Sequence, residues 1–207
     1  MLRETRFFAG NTFFRNDPRI LFVSFAFAYN YSMSIYTKRG DKGETSLYDK
    51  DSAQRDRVSK DSVKIESLGE IDELNSFLGV IVSFSENPRL SEKLKKVQRD
   101  LLTIGSIVAG SDLNFPSART KDLEKVIDDL EGTLPVLKNF VIPGGTVIAS
   151  CLQYARSIAR RVERQVVSLD KLEKVKPQIL KFLNRLSDYL FMLARNANYQ
   201  AGMSDEV

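Results

Sequence analysis

The chain has 207 residues, 28% charged and 43% apolar, with a net charge of +4, which is typical of a folded, soluble domain and too mild and evenly mixed to indicate nucleic-acid binding. It contains no histidine and a single cysteine, Cys151, which excludes histidine-based triads, imidazole bases, histidine ligands to a metal, intrachain disulfides and multi-cysteine metal sites, and fits a reducing compartment. Any catalysis must therefore use carboxylates, lysine, arginine, hydroxyl groups and the geometry of binding.

Residues 1–32 form an N-terminal extension that lacks the helical period found downstream. Four arginines and the apolar run from Ile20 to Tyr29 are consistent with a targeting peptide, although two acidic residues, few serines and no small-residue cleavage site argue against it. The run is too short to cross a bilayer. Alternatively, Met33 is the true initiator. The two explanations stay open, and residues 33–207 are predicted to form one helical domain. The expected location is the cytoplasm, or the mitochondrion if the extension is a eukaryotic transit peptide.

The next segment, TKRGDKGETSL from Thr37 to Leu47, is rich in glycine and basic residues. Gly40 and Gly43 can adopt positive φ angles and let backbone N–H groups converge, with lysines, an arginine and hydroxyl groups around them. This composition is typical of an anion-binding nest, although an ordinary polar turn is the alternative. It is not a Walker A loop, because the glycine spacing and the Gly-Lys-Ser/Thr ending are absent.

Apolar residues then recur at helical spacing in five segments. No stretch shows a convincing strand pattern, so the fold class is predicted to be all-α, a bundle of five helices. The expected boundaries are a first helix from Ile65 through Ile81, a second opened by Asn87-Pro88 and running to Val108, a third between Pro116 and Gly132, a fourth capped by Thr146, and a fifth starting at Pro177.

The fourth helix combines a core stripe with a sector rich in arginine. At about 100° per residue, Arg156, Arg160 and Glu163 fall within one narrow sector. The neighbouring apolar stripe consists of Leu152, Ala155, Ala159, Val162 and Val166. Two interpretations stay open for the sector: a solvated face with charge pairs, or a phosphate-binding face, because guanidinium groups match phosphate oxygens and stay charged when partly buried.

The fifth helix is largely apolar, but one mainly polar stripe interrupts that pattern. The stripe consists of Asn184, Asp188, Phe191 and Arg195. Polar residues on so apolar a helix predict buried polar groups that need hydrogen-bond partners.

Five motifs, in this order between about Ile35 and Arg195, resemble the ATP:cob(I)alamin adenosyltransferases of the propanediol-utilisation type. They are TKRGDKGETSL, GEIDELNSFLG from Gly69, FVIPGG from Phe140, ARSIARRVER from Ala155 and FLNRLSDYLF from Phe182. The resemblance implies a five-helix, up-and-down bundle of ferritin-like architecture that assembles as a homotrimer with active sites between subunits. It also implies transfer of the 5′-deoxyadenosyl group of ATP to the cobalt of cob(I)alamin, with Mg²⁺ as cofactor and triphosphate as product.

The same resemblance assigns residues to the ATP site. Arg160 matches the arginine that contacts ATP, and Glu163 and Asn184 match the other nucleotide and Mg²⁺ positions. The N-terminal loop is expected to fold over the phosphates, with Lys60 as a helper. The loop positions are Thr37, Lys38, Gly40, Asp41, Gly43, Thr45 and Ser46.

On the corrinoid side, Arg156 matches an arginine that pairs across the subunit interface with an aspartate, here Asp72, and Phe140 matches the aromatic residue that closes the lower face of cobalt. Leu68 departs from the family, which commonly has an aromatic residue there.

Expected partners are a reductase that supplies Co(I) and an adenosylcobalamin-dependent acceptor enzyme. The alternative function is a non-catalytic corrinoid or ATP carrier or sensor on the same bundle. A purely structural helical protein would leave the two glycine-bearing loops unexplained.

Overall fold

Five helices form where the apolar residues recur at helical spacing. The computed structural model describes Tyr36, residues 38–47 and residues 57–207; the N-terminal extension and Thr37 lie outside the described residues. The predicted all-α bundle is confirmed. The helices are α1 (Val63–Phe84), α2 (Pro88–Val108), α3 (Ala118–Glu131), α4 (Val147–Asp170) and α5 (Pro177–Gln200).

The helix ends follow local chemistry. The Asn87 side chain accepts hydrogen bonds from the first amides of α2, where Pro88 occupies the first turn without losing a needed donor. The Thr146 hydroxyl accepts from the amide of Ala149 and begins α4. Pro177 begins α5. The caps predicted at Asn87 and Thr146 and the helix start predicted at Pro177 are therefore confirmed.

Helix α4 lies at the centre of the bundle, packing against α1 and α5, while α2 packs on α1 and α3 on α5. The short loops 85–87 and 171–176 make α1 and α2, and likewise α4 and α5, antiparallel neighbours. Every residue of the predicted apolar stripe of α4 is fully buried, which confirms that stripe. Because the sector of Arg156, Arg160 and Glu163 adjoins this stripe, those side chains project from a helix that is packed against two others.

A two-stranded antiparallel hairpin precedes the bundle. Strand β1 (Glu44–Ser46) pairs with β2 (Arg57–Ser59), and Thr45 lies opposite Val58. Arg57 closes the hairpin by donating to the Glu44 carboxylate and to a backbone carbonyl of the glycine-rich segment. The sequence shows no strand pattern here because three-residue strands are too short to produce a recognisable alternation.

The polar stripe of α5 is only partly buried, so that prediction needs correction. Arg195 is 5% exposed and has partners, but Asn184 and Asp188 are exposed. Asp188 accepts from Arg185 on its own helix. No helix within the described residues has the length and apolar character needed to span a bilayer.

Candidate functional site

The guanidinium of Arg160 is available to a ligand. The side chain is exposed on α4, and none of the residues that the structure describes pairs with it. Its backbone carbonyl accepts a hydrogen bond from Arg164, one turn along the helix. An unpaired guanidinium on a fixed helix is suited to binding an anion through its fork of N–H donors.

The neighbouring Arg161 is already engaged. Its guanidinium donates to the carboxylates of Glu70 and Glu73 on α1, and these two hydrogen bonds raise the pKa of Arg161. The pairing fixes the rotation of α4 relative to α1 and leaves Arg160 pointing elsewhere. Sequence reasoning missed it, although two acidic residues three positions apart on one helix are a signal for a basic partner on a packed neighbour.

Glu163 and Asn184 meet at the contact between α4 and α5. The Asn184 side-chain amide donates to one carboxylate oxygen of Glu163 at 2.8 Å. Glu163 lies three residues after Arg160, so the two side chains are neighbours on the helix surface. The structure thus brings together the three residues predicted for the nucleotide site on these helices: a free cation, an oriented carboxylate and the amide that orients it.

Arg156 and Asp72 do not meet within one chain. Arg156 is half-buried and donates to the Gln153 side chain at 2.8 Å, while Asp72 is exposed on α1. Within the described residues of one chain, Arg156 and Asp72 do not form an ion pair. Burial, followed by the nearby charge of Arg160, lowers the pKa of Arg156. A carboxylate beside Arg156 would offset that cost, and the predicted pairing with Asp72 across an interface stays a prediction.

The glycine-rich segment differs from the nest that the sequence suggests. Gly43 has a φ of +81° and Lys38 a φ of +58°, but Gly40 does not adopt a positive φ. The amides of Asp41 and Gly43 bond back to carbonyls of the same turn. The expected convergence of free amides is therefore wrong at these positions, and the segment presents lysine charge instead.

Gly40 serves a different purpose, which is the close approach of Lys60. The Lys60 ammonium donates to the Gly40 carbonyl at 3.0 Å, and a Cβ on Gly40 would lie 3.1 Å from the same nitrogen. The hairpin, Lys60 and α1 enclose a groove of about 450 Å³. Its lining residues are Thr45, Lys60, Ile65, Glu66, Gly69, Glu70 and Glu73. Of the other predicted loop positions, Lys38, Asp41 and Ser46 are exposed.

Phe140 lies on an irregular segment, residues 135–146, which we call the Phe140 loop. The ring is 99% exposed, and Val136 on the same loop is 84% exposed. Exposed apolar side chains grouped on one segment mark a surface that a ligand or partner covers.

Beside the Phe140 loop, α3 and α5 border a groove of about 710 Å³. Its lining mixes apolar side chains, including Phe191 and Met192, with the carboxylates of Glu124 and Asp188, which accept hydrogen bonds from Arg185. Asp188, Phe191 and Arg195 of the predicted α5 stripe therefore line this groove, whereas Asn184 contacts Glu163 on α4.

Asn198, near the end of α5, fixes the end of the Phe140 loop and was missed by sequence reasoning. Its side-chain oxygen accepts from the Thr146 amide at 2.9 Å, and its side-chain nitrogen donates to the Gly144 carbonyl at 3.0 Å. Gly145, between them, has a φ of +98°, and a Cβ there would collide with Asn198. No periodicity predicts this contact, because its partners lie in an irregular loop.

Comparisons with known proteins agree with this geometry. Residues 35–197 match the family model described as cobalamin adenosyltransferase. The chain is 41% identical over 181 residues to the corrinoid adenosyltransferase of Bacillus subtilis (strain 168), covering 84% of this chain and 91% of the relative. It is 36% identical to the corrinoid adenosyltransferase PduO of Citrobacter freundii, covering 82% of this chain but 51%, about half, of that relative.

Among solved structures, the chain is similar to a phenylalanine-to-histidine variant of a PduO-type ATP:corrinoid adenosyltransferase from Lactobacillus reuteri, complexed with cobalamin and ATP. The sequence identity is 37% and the TM-score 0.79, and the match covers 84% of this chain and 96% of that one.

Proposed function

The chain belongs to the cobalamin adenosyltransferase family, and we propose that it transfers the 5′-deoxyadenosyl group of ATP to the cobalt of cob(I)alamin, releasing triphosphate. The observation that carries this proposal is the unpaired Arg160 beside the preformed Glu163–Asn184 pair. A carrier or sensor without turnover is the weaker alternative, because the matched relatives are named as adenosyltransferases.

The reaction suits a site without histidine. The Co(I) lone pair attacks the 5′ carbon of ATP, the bond from that carbon to the triphosphate oxygen breaks, and its electrons leave with triphosphate. No proton moves in this step. The protein must hold the two substrates in line and stabilise the charge that develops on the leaving group. Arg160 is placed to do so from α4, and Lys60 adds charge from the side of the hairpin.

The carboxylate of Glu163 fits a magnesium ion that arrives with ATP. The part of the chain that the structure describes contains no group of three or more side chains able to hold a metal by themselves. Magnesium is usually bound through one or two carboxylates together with substrate phosphates. Asn184 leaves one Glu163 oxygen free for that contact. Bound there, Mg²⁺ would supply positive charge to the phosphates.

For the corrinoid, we propose the groove beside the Phe140 loop. The apolar side chains of its lining suit the faces of the corrin ring, and the polar side chains suit the amide groups at its edge. Phe140 would lie against the lower face of cobalt and exclude both water and the nucleotide tail. Cobalt(II) without an axial ligand is easier to reduce, so this contact would favour formation of the Co(I) nucleophile.

We further propose a homotrimer whose sites lie between subunits, with Asp72 of one subunit pairing with Arg156 of the next. Both side chains are accessible in a single chain, and Arg156 is partly desolvated without a carboxylate partner. Asp72→Asn should weaken assembly and activity together, because an unpaired buried charge costs roughly 3–5 kcal/mol. Light scattering reports the assembly, and a fully active wild-type monomer would exclude the arrangement.

We also propose two protein partners. One is a reductase that supplies Co(I), and the other is an adenosylcobalamin-dependent enzyme that accepts the product. We propose a reducing location in the cytoplasm, or in the mitochondrion if residues 1–32 are a transit peptide.

An anaerobic assay tests the central proposal. Purified protein is mixed with chemically reduced cobalamin, ATP and Mg²⁺, and the light-sensitive Co–C product is followed by absorbance. We expect adenosylcobalamin and triphosphate in equal amounts. Release of pyrophosphate plus phosphate, or absence of product with fully reduced corrinoid, would contradict the proposal.

A further inference from the structure

The Phe140 loop is tethered to the bundle by the C-terminal part of the chain at three points. The Pro135 carbonyl accepts from Arg195 at 2.7 Å at the start of the loop. The Ile142 amide donates to the Glu206 carbonyl at 2.8 Å in the middle. The Thr146 amide donates to Asn198 at its end. All three partners lie within residues 195–206.

The tether depends on a buried charge. Arg195 is 5% exposed, and its guanidinium donates both to the loop and, at 2.8 Å, to the carboxylate of Asp205, which is itself 18% exposed. Asp205 neighbours Glu206, whose carbonyl holds the middle of the loop. One ion pair therefore fixes both the arginine that holds Pro135 and the backbone segment that holds Ile142.

Apolar packing beneath the loop is incomplete. The groove of about 710 Å³ lies on one side, and a cavity of about 240 Å³ separates the loop from residues 203–207 on the other. Pro135 and Arg195 line both spaces. Since few apolar contacts support the loop from either side, its hydrogen bonds to the C-terminal segment decide where it lies.

We propose that Arg195, Asn198 and Asp205 are positioning residues that set Phe140 against the corrinoid, an inference that rests on the function proposed above. We call these three residues the loop tether. Asp205 lines the smaller cavity but not the groove, so it acts through Arg195 and the loop, without contacting the corrinoid. Loss of the tether would let Phe140 move away from the lower face while the nucleotide site on α4 stays intact.

Asp205→Ala tests the tether. Glu206→Ala is the matched control, since it removes an exposed neighbouring carboxylate and keeps the backbone carbonyl, and Asp205→Glu is the conservative rescue. With ATP and Co(II) corrinoid bound, we expect Asp205→Ala to lower the four-coordinate Co(II) signal by about threefold to tenfold. In the reductant-coupled assay, kcat should fall by the same factor, with the KM for ATP unchanged. Both other variants should behave as wild type.

A double variant separates positioning from general destabilisation. If the tether acts through Phe140, Asp205→Ala should cause no further loss of kcat in a Phe140→Ala background. Hydrogen–deuterium exchange of residues 136–146 should also rise in Asp205→Ala, a readout that does not depend on activity. If the alanine variant does not fold, Asp205→Asn, which keeps the size of the side chain, is carried through the same comparisons.

A wild-type four-coordinate signal in the tether variant, or additive losses in the double variant, would overturn the tether while leaving the proposed function in place. Failure of the wild-type protein to form adenosylcobalamin from pre-reduced corrinoid would instead overturn the proposed function, and the tether with it.

Discussion

The polar sector of α4 and the Phe140 loop hold their functional side chains in different ways. Arg160 and Glu163 project from a helix that is buried between two others, and hydrogen bonds to neighbouring helices fix its orientation. Phe140 projects from a segment without regular structure that is held by side chains of α5. This difference matches the proposed roles: charges that bind phosphate at hydrogen-bond distance need rigid support, whereas a ring that admits a bulky substrate benefits from a segment that can adjust.

Removing the positive charge of Arg160 from α4 should cause the largest loss of activity. Arg160→Ala is expected to lower kcat by about 10²–10³-fold, because a preorganised donor to the developing charge is lost. Arg164→Ala is the matched control, since it removes another exposed arginine one turn along α4. Steady-state turnover with pre-reduced cobalamin measures both. Equal activity of the two variants would show that Arg160 has no special role.

Removing the aromatic ring of Phe140 from its loop should cause a smaller and more selective loss of activity. Phe140→Ala is expected to lower turnover from Co(II) plus a reductant by about tenfold, with less effect on pre-reduced Co(I) and none on the KM for ATP. Ile142→Ala is the control, since it removes another exposed apolar side chain of the loop that does not line the groove. A five-coordinate, water-ligated Co(II) spectrum in the wild-type ternary complex would contradict the role given to Phe140.

A comparison of Arg161 with Arg160 on α4 separates an arginine that stabilises the fold from one that is proposed to bind the ligand. Arg161→Ala removes pairs with Glu70 and Glu73, but its side chain is 40% exposed, so solvent screening limits the loss in free energy of unfolding to about 1 kcal/mol. Urea denaturation measures this loss, and kcat should change far less than in Arg160→Ala. Comparable losses of activity in the two variants would mean that the division into structural and ligand-binding arginines is wrong.

Truncation to Met33 should have the smallest effect, because residues 1–32 lack the periodicity that would tie them to the bundle. Activity and assembly, measured by the corrinoid assay and light scattering, are expected to match those of the full chain. Loss of soluble protein would contradict this expectation. The mass of the mature protein from its native host would separate a processed leader from a wrong start codon.

The sequence predicts most of the fold because the helical period is a local property. The apolar stripe of α4 and the caps at Asn87 and Thr146 depend on residues a few positions apart, and all are found where expected. The resemblance also predicts that Glu163 and Asn184 share a site, and the structure brings their side chains into contact.

The remaining features depend on contacts between distant segments. Arg161 looks equivalent to Arg160 in the sequence, and only the rotation of α4 against α1 separates them. Asp188 looks buried by periodicity, but the groove beside α5 exposes it. The glycine at position 40 suggests a positive φ, yet its lack of a side chain is used to admit Lys60. Each error concerns which neighbour a residue meets, which periodicity does not encode.

The contact between Asn198 and Thr146 also orders events during synthesis. The two residues are 52 positions apart, so the Phe140 loop leaves the ribosome about 3–10 s before its partner at ordinary elongation rates. Until α5 has emerged and docked, the loop lacks both its tether and the helix that borders the groove. During synthesis α4 is therefore complete before the Phe140 loop acquires its hydrogen bonds to α5, so a defined position of this loop is among the last features of the fold to form.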